Sequence, residues 1–362
     1  MKKRILSIMI VAALAVSMTA CGAASDETAA ESDAAATAST TEKADEEKEE
    51  TTTEETTAEE TEAETTAETE PELVMIDAPA ADFEYQYDAA LGGLIITDYN
   101  GSDPAIRVPA EIDGDPVVKI GERAFTSNYS VKKVELPEGI TAIGKCGFEE
   151  CSLEEIILPK SLTTLEVGAF NSCAFKEFTL PDTVTELGDD VFFDCDALET
   201  VTIQANITEL PGSTFGYCDA LTTVNLPDSV TTIKWGAFSN CKALTTITLP
   251  DSVETFEAHV FSECTNLTEF TVPKNTTVIS VGMLIHCTNL KKVTLHDNVK
   301  EINDSAFSGC TNLRELILPD NIERISAGAF YNCDALTVTY RGQQYNYTNF
   351  NELSDAVYAN NS

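Results

Sequence analysis

The chain has 362 residues and a formal net charge of −39, with 61 acidic residues against 22 lysines and arginines. Its one dense basic cluster is Lys2-Lys3-Arg4, so the sequence lacks the clustered positive charge with which proteins bind nucleic acid phosphates. The same acidity disfavours direct docking on anionic lipid head groups. We therefore expect no nucleic acid partner and no direct contact of the folded part with a lipid surface.

Residues 1–20 have the composition of a secretory signal peptide. Lys2-Lys3-Arg4 precedes a mainly apolar run over residues 5–20, which ends in small residues before Cys21. As a helix this run would span only ~24 Å, less than the ~30 Å hydrocarbon core of a bilayer. The pattern therefore favours a signal peptide over a permanent transmembrane helix.

The segment Met18-Thr19-Ala20-Cys21-Gly22 resembles the lipobox of bacterial lipoproteins, with Met18 where leucine is usual. This resemblance implies lipidation of Cys21 and a membrane contact through the lipid anchor only. Cleavage near Ala20 without lipidation and retention as an uncleaved anchor are the alternatives. We expect an extracytoplasmic lipoprotein of the cell surface.

Residues 21–72 are predicted to form a disordered linker rich in Thr, Glu and Ala. From residue 22 to residue 72 the sequence has 19 acidic residues against two lysines and no aromatic residue. Such a segment cannot bury a hydrophobic core, and its like charges repel each other. As a coil it would span ~40 Å, which suits a solubilising tether; a specific acidic ligand is the alternative.

A repeat of 22 or 23 residues organises the rest of the chain, and one aromatic position marks every unit. Leucine replaces phenylalanine at one of its ten positions: Phe125, Phe148, Phe170, Phe192, Phe215, Phe238, Phe261, Leu284, Phe307 and Phe330. Three residues later the first unit has Asn128, and the other nine have a cysteine: Cys151, Cys173, Cys195, Cys218, Cys241, Cys264, Cys287, Cys310 and Cys333. Ten units in phase predict a repeat architecture.

Each unit contains one short strand that cannot be stable alone. In 221–226 the side chains of Val224 and Leu226 point to one side, and those of Thr223 and Asn225 point to the other. Stacked copies would form a parallel β-sheet on one wall over a continuous core, with short strands and turns on the other wall. The phenylalanines would pack between the layers from that opposite wall. We predict a leucine-rich-repeat solenoid over 121–336.

The repeat resembles the BspA-type leucine-rich repeats of bacterial surface proteins, which follow the pattern Ile-Gly-x-x-Ala-Phe, Cys, Leu-x-x-Ile-x-Leu-Pro. The segments 120–125, 236–238 and 244–250 carry this pattern, and the resemblance covers roughly residues 95–359. Three departures predict local distortion. Ile203-Gln204 lacks the proline, Leu295-His296 replaces it, and Thr276 stands where an apolar residue is expected.

Both ends of the solenoid need a cap, because a bare terminal layer would expose the core. For an N-terminal β cap over 73–120, the alternating segments 94–96 and 106–108 flank Asn100-Gly101, a turn pair typical of hairpins. Asp113-Gly114 is a second turn pair. For a C-terminal cap over 337–362, segments 337–340 and 344–347 flank Gly342, and residues 351–359 have the pattern of a short helix.

The nine repeated cysteines could be buried thiols, disulfides or metal ligands. Neighbouring side chains of one column point the same way, whereas a disulfide needs Cβ vectors that face each other. Nine is also an odd number, and Asn128 opens the column, so we interpret the cysteines as buried free thiols that satisfy backbone groups at a turn. Cys146 lies outside the column and is the cysteine for which exposure or an intermolecular bridge is an open alternative.

No catalytic constellation or cofactor motif is present in the sequence. His259, His286 and His296 occupy three different repeat positions, without the spacing of metal sites. The aspartates that follow the strands suit turns, and no EF-hand pattern accompanies them. We predict no enzyme activity, no cofactor and no metal site.

The outward side of the strand wall is the predicted binding face, because its middle is rich in threonine. Threonine is a strong strand former, so β propensity alone would explain this enrichment; a surface of ordered hydroxyls that binds a peptide or glycan is the alternative. Trp235, on the opposite wall, is expected to be partly buried. The binding-face candidates are Thr200, Thr202, Thr223, Asn225, Thr246, Thr248, Thr271 and Thr294.

These features together predict a monomeric, non-enzymatic binding protein of the cell surface. The resemblance to BspA-type proteins implies adhesion to host or matrix proteins or to other cells. The alternative is an envelope lipoprotein that binds a glycan or polysaccharide. The residues themselves do not distinguish a protein ligand from a glycan.

Overall fold

The computed structural model describes residues 73–361, which form a parallel β-solenoid of about 11 turns. The predicted leucine-rich-repeat solenoid is therefore confirmed. The predicted signal peptide, Cys21 and the linker lie outside the described residues. Within the described residues, no helix is long and apolar enough to cross a membrane.

One wall of the solenoid, here called the strand wall, carries the longer strands. Side chains alternate along these strands, so Val201 and Val224 point into the core while the threonines beside them face outward. The strands of this wall are β1 (Ile76–Asp77), β4 (Ala105–Arg107), β7 (Lys133–Glu135), β9 (Glu155–Ile157), β11 (Glu177–Leu180), β13 (Thr200–Ile203), β15 (Thr223–Asn225), β18 (Glu269–Thr271), β20 (Lys292–Thr294), β22 (Glu315–Ile317), β24 (Thr337–Tyr340) and β25 (Gln343–Asn346).

A second wall is built mainly from two-residue strands that follow each proline position. Apart from the N-terminal hairpins, its strands pair in parallel from one turn to the next. They are β2 (Phe83–Asp88), β3 (Gly93–Tyr99), β5 (Glu111–Ile112), β6 (Asp115–Ile120), β8 (Ala142–Ile143), β10 (Thr164–Leu165), β12 (Glu186–Leu187), β14 (Glu209–Leu210), β16 (Thr232–Ile233), β17 (Thr255–Phe256), β19 (Val278–Ile279), β21 (Glu301–Ile302) and β23 (Arg324–Ile325).

The third side, here called the turn wall, contains the phenylalanine and cysteine positions and has no strands. Its backbone nevertheless bonds directly from turn to turn: the amide of Phe238 donates to the carbonyl of Val260 over 2.9 Å. In most turns the residues two before and two after the phenylalanine adopt a left-handed conformation, as Gly236 (φ 61°) and Asn240 (φ 60°) do. This alternation lets every second amide point at the next turn.

A stack of aromatic rings runs through the core along the inside of the turn wall. All nine phenylalanines of the repeat are buried, and Leu284 fills the tenth position. Ring centroids of successive phenylalanines lie 4.6–5.8 Å apart, within the range of favourable aromatic pairs. The caps extend the stack: Phe83 and Tyr99 precede Phe125, and Phe350 follows Phe330.

The N-terminal cap differs from the prediction in its pairing. Strand β3 pairs antiparallel with β2 and parallel with β6, whereas β4 belongs to the strand wall and pairs with β1 and β7. The expected hairpin across Asn100-Gly101 is therefore wrong, because its two segments lie on different walls. Asp113-Gly114 does form a tight turn between β5 and β6, with positive φ at both residues.

The C-terminal cap follows its predicted elements. Strands β24 and β25 pair antiparallel across Arg341-Gly342, both with positive φ. Helix α1 (Phe350–Asn361) then closes the solenoid, with Leu353 and Val357 buried. These apolar side chains cover the last layer of the core, which would otherwise contact water.

Neither wall is one continuous sheet. On the second wall the ladder stops between β12 and β14 and again between β17 and β19. The first stop follows Ile203-Gln204 and the second follows Thr276, two of the predicted sites of distortion. At the second stop, buried hydroxyls supply bonds between the turns: Thr276 Oγ1 donates to the Val253 carbonyl (2.9 Å), and Ser280 Oγ donates to the Glu257 carbonyl (2.7 Å).

Candidate functional site on the strand wall

The repeated cysteines serve the backbone of the turn wall. Each Sγ donates to the carbonyl of the aromatic-stack residue one turn earlier, over 2.7–3.2 Å, as Cys241 does to Phe215. Asn128 makes the corresponding contact in the first unit through Nδ2, which donates to the Gly101 carbonyl over 3.2 Å. All nine cysteines are buried, and none of them is in a disulfide.

Burial also makes these thiols unreactive. Desolvation raises the pKa of Cys195 and of Cys264 to about 12, from an ordinary value of 9.0. A thiolate is the reactive form of cysteine, so the column offers no nucleophile at neutral pH. Cys146 is buried too, and burial followed by the nearby Glu149 carboxylate raises its pKa.

The histidines and acidic residues do not converge on one point. Within residues 73–361, no group of three or more His, Cys, Asp or Glu side chains is placed to hold a metal ion. His286 Nδ1 lies 2.5 Å from Glu263 Oε1 on the turn wall, which is a pair between neighbouring turns. In this part of the chain the histidines and acidic residues therefore form no shared metal-binding cluster.

The outward side of the strand wall, here called the open face, brings several predicted binding residues into register. Thr200 pairs with Glu177 on one side and with Thr223 on the other, and Thr202 pairs with Asn225. Asn225 Nδ2 donates to Thr202 Oγ1 over 3.1 Å, so these side chains already form a row. Further along, Thr271 pairs with Thr294.

Thr246 and Thr248 are placed differently from the prediction. Both are exposed, but residues 244–250 form no strand and no ladder with β15 or β18. Ile247, between them, is only partly buried. The parallel sheet of the open face is therefore divided into several short ladders.

Two other interruptions of the strand wall coincide with clefts. Between β9 and β11 a cleft of about 300 Å³ is lined by the partly buried Ile156 and Leu158 and by the buried Phe178. This interruption falls between the two units that are one residue shorter than the others. Between β20 and β22 a cleft of about 640 Å³ is lined by Lys292, Thr294, Leu295, Glu315 and Ile317, the last of them 71% exposed.

A third cleft, of about 810 Å³, lies at the N-terminal end of the open face. Charged side chains of both signs surround it, and several are already paired across the turns, such as Lys133 with Glu155 over 2.8 Å. None of the three clefts was predicted from the sequence. The signals that could have indicated them were the two shorter units beside the β9–β11 interruption and the departure at Leu295-His296 beside the β20–β22 interruption.

Comparisons with known proteins place the chain in a family. The model of the BspA type leucine rich repeat region matches in six copies, over residues 118–245 and 231–353. No curated protein matches the sequence.

Several solved structures are similar to this chain. A leucine-rich repeat protein from Bacteroides ovatus is 23% identical, with 74% of this chain and 89% of that chain covered and a TM-score of 0.45. A leucine rich cell surface protein from Faecalibacterium prausnitzii is 24% identical, with 73% and 88% covered and a TM-score of 0.44. A leucine rich repeat protein of T. pallidum is 25% identical, with 66% and 91% covered and a TM-score of 0.33. On the family match over most of its length, the chain belongs to the BspA type leucine-rich-repeat family.

Proposed function

We propose that this protein is a non-enzymatic binding protein of the bacterial cell surface, which uses the open face to adhere to an extracellular protein or to another cell. The signal peptide, the lipid on Cys21 and the acidic tether would present the solenoid outside the membrane. The folded part would then only need to present a rigid surface to the ligand. The Faecalibacterium prausnitzii relative is named as a cell surface protein, which supports this location.

The observation that carries the proposal is the open face itself. It combines rows of hydroxyl and amide groups with clefts that are partly lined by apolar side chains. Protein interfaces are built from such buried apolar anchors with a polar rim, on surfaces that change little on binding. Because backbone bonds fix each turn to its neighbours, the surface is organised before any ligand arrives.

A protein ligand fits this face better than a glycan does. Sugar sites commonly stack the ring on an aromatic side chain, and the predicted binding positions are occupied by threonine and asparagine alone. Exposed Ile157 and Ile317 instead offer apolar contact. A polysaccharide gripped by the threonine hydroxyls is the second candidate, which the hydroxyl rows favour.

Binding of the full-length protein to immobilised matrix proteins and to a glycan array would test the proposal. The triple variant Thr223→Lys, Thr246→Lys, Thr248→Lys places three long cations on the open face, and we expect it to bind at least about tenfold more weakly. The matched control places the same charges on exposed threonines of the second wall: Thr185→Lys, Thr208→Lys and Thr277→Lys.

Unchanged binding by the open-face variant, with a melting temperature equal to that of the control, would move the site elsewhere. Binding to the glycan array alone would show that the ligand is a glycan and not a protein.

A further inference from the structure

Three aromatic side chains, here called the aromatic platform, lie at the surface of the turn wall within neighbouring turns. Trp235 is 53% exposed and Tyr217 is 44% exposed, while Phe193 is half-buried. The rings of Phe193 and Tyr217 have centroids 5.2 Å apart. The repeat pattern requires none of these rings, because the phenylalanines that build the core occupy a different position.

Two glycines of a single turn leave room for two of the three rings to pack against the backbone. A Cβ added to Gly212 would lie 2.6 Å from Trp235 Nε1, and one added to Gly216 would lie 3.1 Å from Phe193 Cδ2. Neither glycine has a positive φ, so glycine is required at these positions because it lacks a side chain and not because of its conformational freedom. The indole and the phenyl ring thus rest directly on the backbone of the same turn, from its two sides.

Carboxylates border the platform. Asp189 Oδ1 accepts a hydrogen bond from the Gly212 amide over 2.8 Å, so this carboxylate and the Trp235 indole contact the same residue. Glu257 Oε2 accepts a hydrogen bond from the Trp235 amide over 3.1 Å. The sequence also places Asp190 next to Asp189.

The local charge is negative, although one lysine lies nearby. Burial, followed by the neighbouring Asp189 carboxylate, raises the pKa of Asp190, so a cation beside it would be stabilising. Lys234 is engaged by Glu209 over 2.7 Å. Asp194, which follows Phe193, adds a further exposed carboxylate.

We propose that the aromatic platform, with Asp189 and Asp190 at its edge, binds arginine side chains of a basic segment of a partner protein. A guanidinium stacks on the face of tryptophan or tyrosine and donates in parallel to a carboxylate, and this surface offers both. Trp235 Nε1 donates no hydrogen bond within the described residues, so it is free to bond a backbone carbonyl of the segment. Anionic partners are repelled by the same carboxylates.

This site is separate from the open face, and its test does not depend on the proposed adhesion. Trp235 is the only tryptophan of the chain, so tryptophan fluorescence reports on the platform directly. The probe is a short blocked peptide of alternating glycine and arginine, titrated into the full-length protein. The matched peptide carries citrulline, which keeps the shape of arginine without its charge.

We expect a saturable fluorescence change with the arginine peptide and affinity at least about tenfold lower for the citrulline peptide. The double variant Asp189→Asn, Asp190→Asn keeps the side-chain shapes and should weaken arginine binding about tenfold. Its matched control is Asp320→Asn, Asp334→Asn, two exposed aspartates in other turns. Gly212→Ala should displace the indole and change the fluorescence of the free protein.

Equal response to both peptides, or an unchanged affinity of the Asp189→Asn, Asp190→Asn variant, would overturn the proposal. A response to neutral oligosaccharides but not to the arginine peptide would replace it with a sugar platform. The open-face variant Thr223→Lys, Thr246→Lys, Thr248→Lys should bind the arginine peptide normally, so failure of the adhesion proposal leaves this result intact.

Discussion

Truncation of one ring in the aromatic stack tests the physical basis of the solenoid. Phe238 is fully buried, and its ring centroid lies 5.6 Å from that of Phe215 and 5.3 Å from that of Phe261. Phe238→Ala removes the whole ring and leaves a cavity that the flanking turns cannot close, because backbone bonds fix their spacing. We expect a loss of about 3–5 kcal/mol in the free energy of unfolding.

Two further variants calibrate that loss. Phe238→Leu reproduces the situation at position 284, where a buried leucine occupies the column, and should cost only about 1–1.5 kcal/mol. Tyr331→Ala removes an aromatic ring that is 68% exposed and should change stability by less than about 0.5 kcal/mol. Guanidinium unfolding followed by far-ultraviolet circular dichroism measures all three. If Phe238→Ala costs no more than Tyr331→Ala, the stack does not stabilise the fold.

Two other predictions concern the cysteines. Burial raises the pKa of Cys195 to about 12 in the folded chain, so the thiol stays protonated there while the unfolded chain ionises near 9.0. Stability should therefore fall as pH rises from about 9 towards 12, and Cys195→Ala should make that fall shallower in unfolding curves taken at several pH values; an equal slope would contradict the assignment. Cys21→Ser should release the protein from the cell envelope into the medium, as a blot of the two fractions would show, and retention would argue against a lipid anchor.

The repeated parts of the structure are well predicted from the sequence, because the same pattern of buried and exposed residues recurs in each unit. One phenylalanine in a unit would be ambiguous, but the same position in nearly every unit can only be a buried column. The end caps are less predictable. Asn100-Gly101 suggests a hairpin locally, yet Gly93–Tyr99 is longer than a repeat strand and finds its partner upstream in Phe83–Asp88. Pairing between distant segments outweighs the local turn signal.

The candidate surfaces depend on features that break the repeat, and these are hard to predict. The threonines of the open face follow from strand alternation, whereas the clefts arise where neighbouring strands fail to pair. Trp235 was expected to be partly buried, and about half of it is covered. The sequence does not show that the Trp235 indole packs on Gly212, because these residues are 23 positions apart and the contact depends on a missing side chain.

The thiol-to-carbonyl contact has a consequence for how such a protein changes length during evolution. Each contact joins a unit only to the one before it, and every unit offers the same carbonyl to the next. Loss of residues 219–241 by recombination would therefore place Cys264 opposite the carbonyl of Phe215, and Phe261 against its ring. The shortened chain would keep both its caps and its core, so gene-level duplication or deletion of whole units can adjust the reach of the solenoid without a new fold.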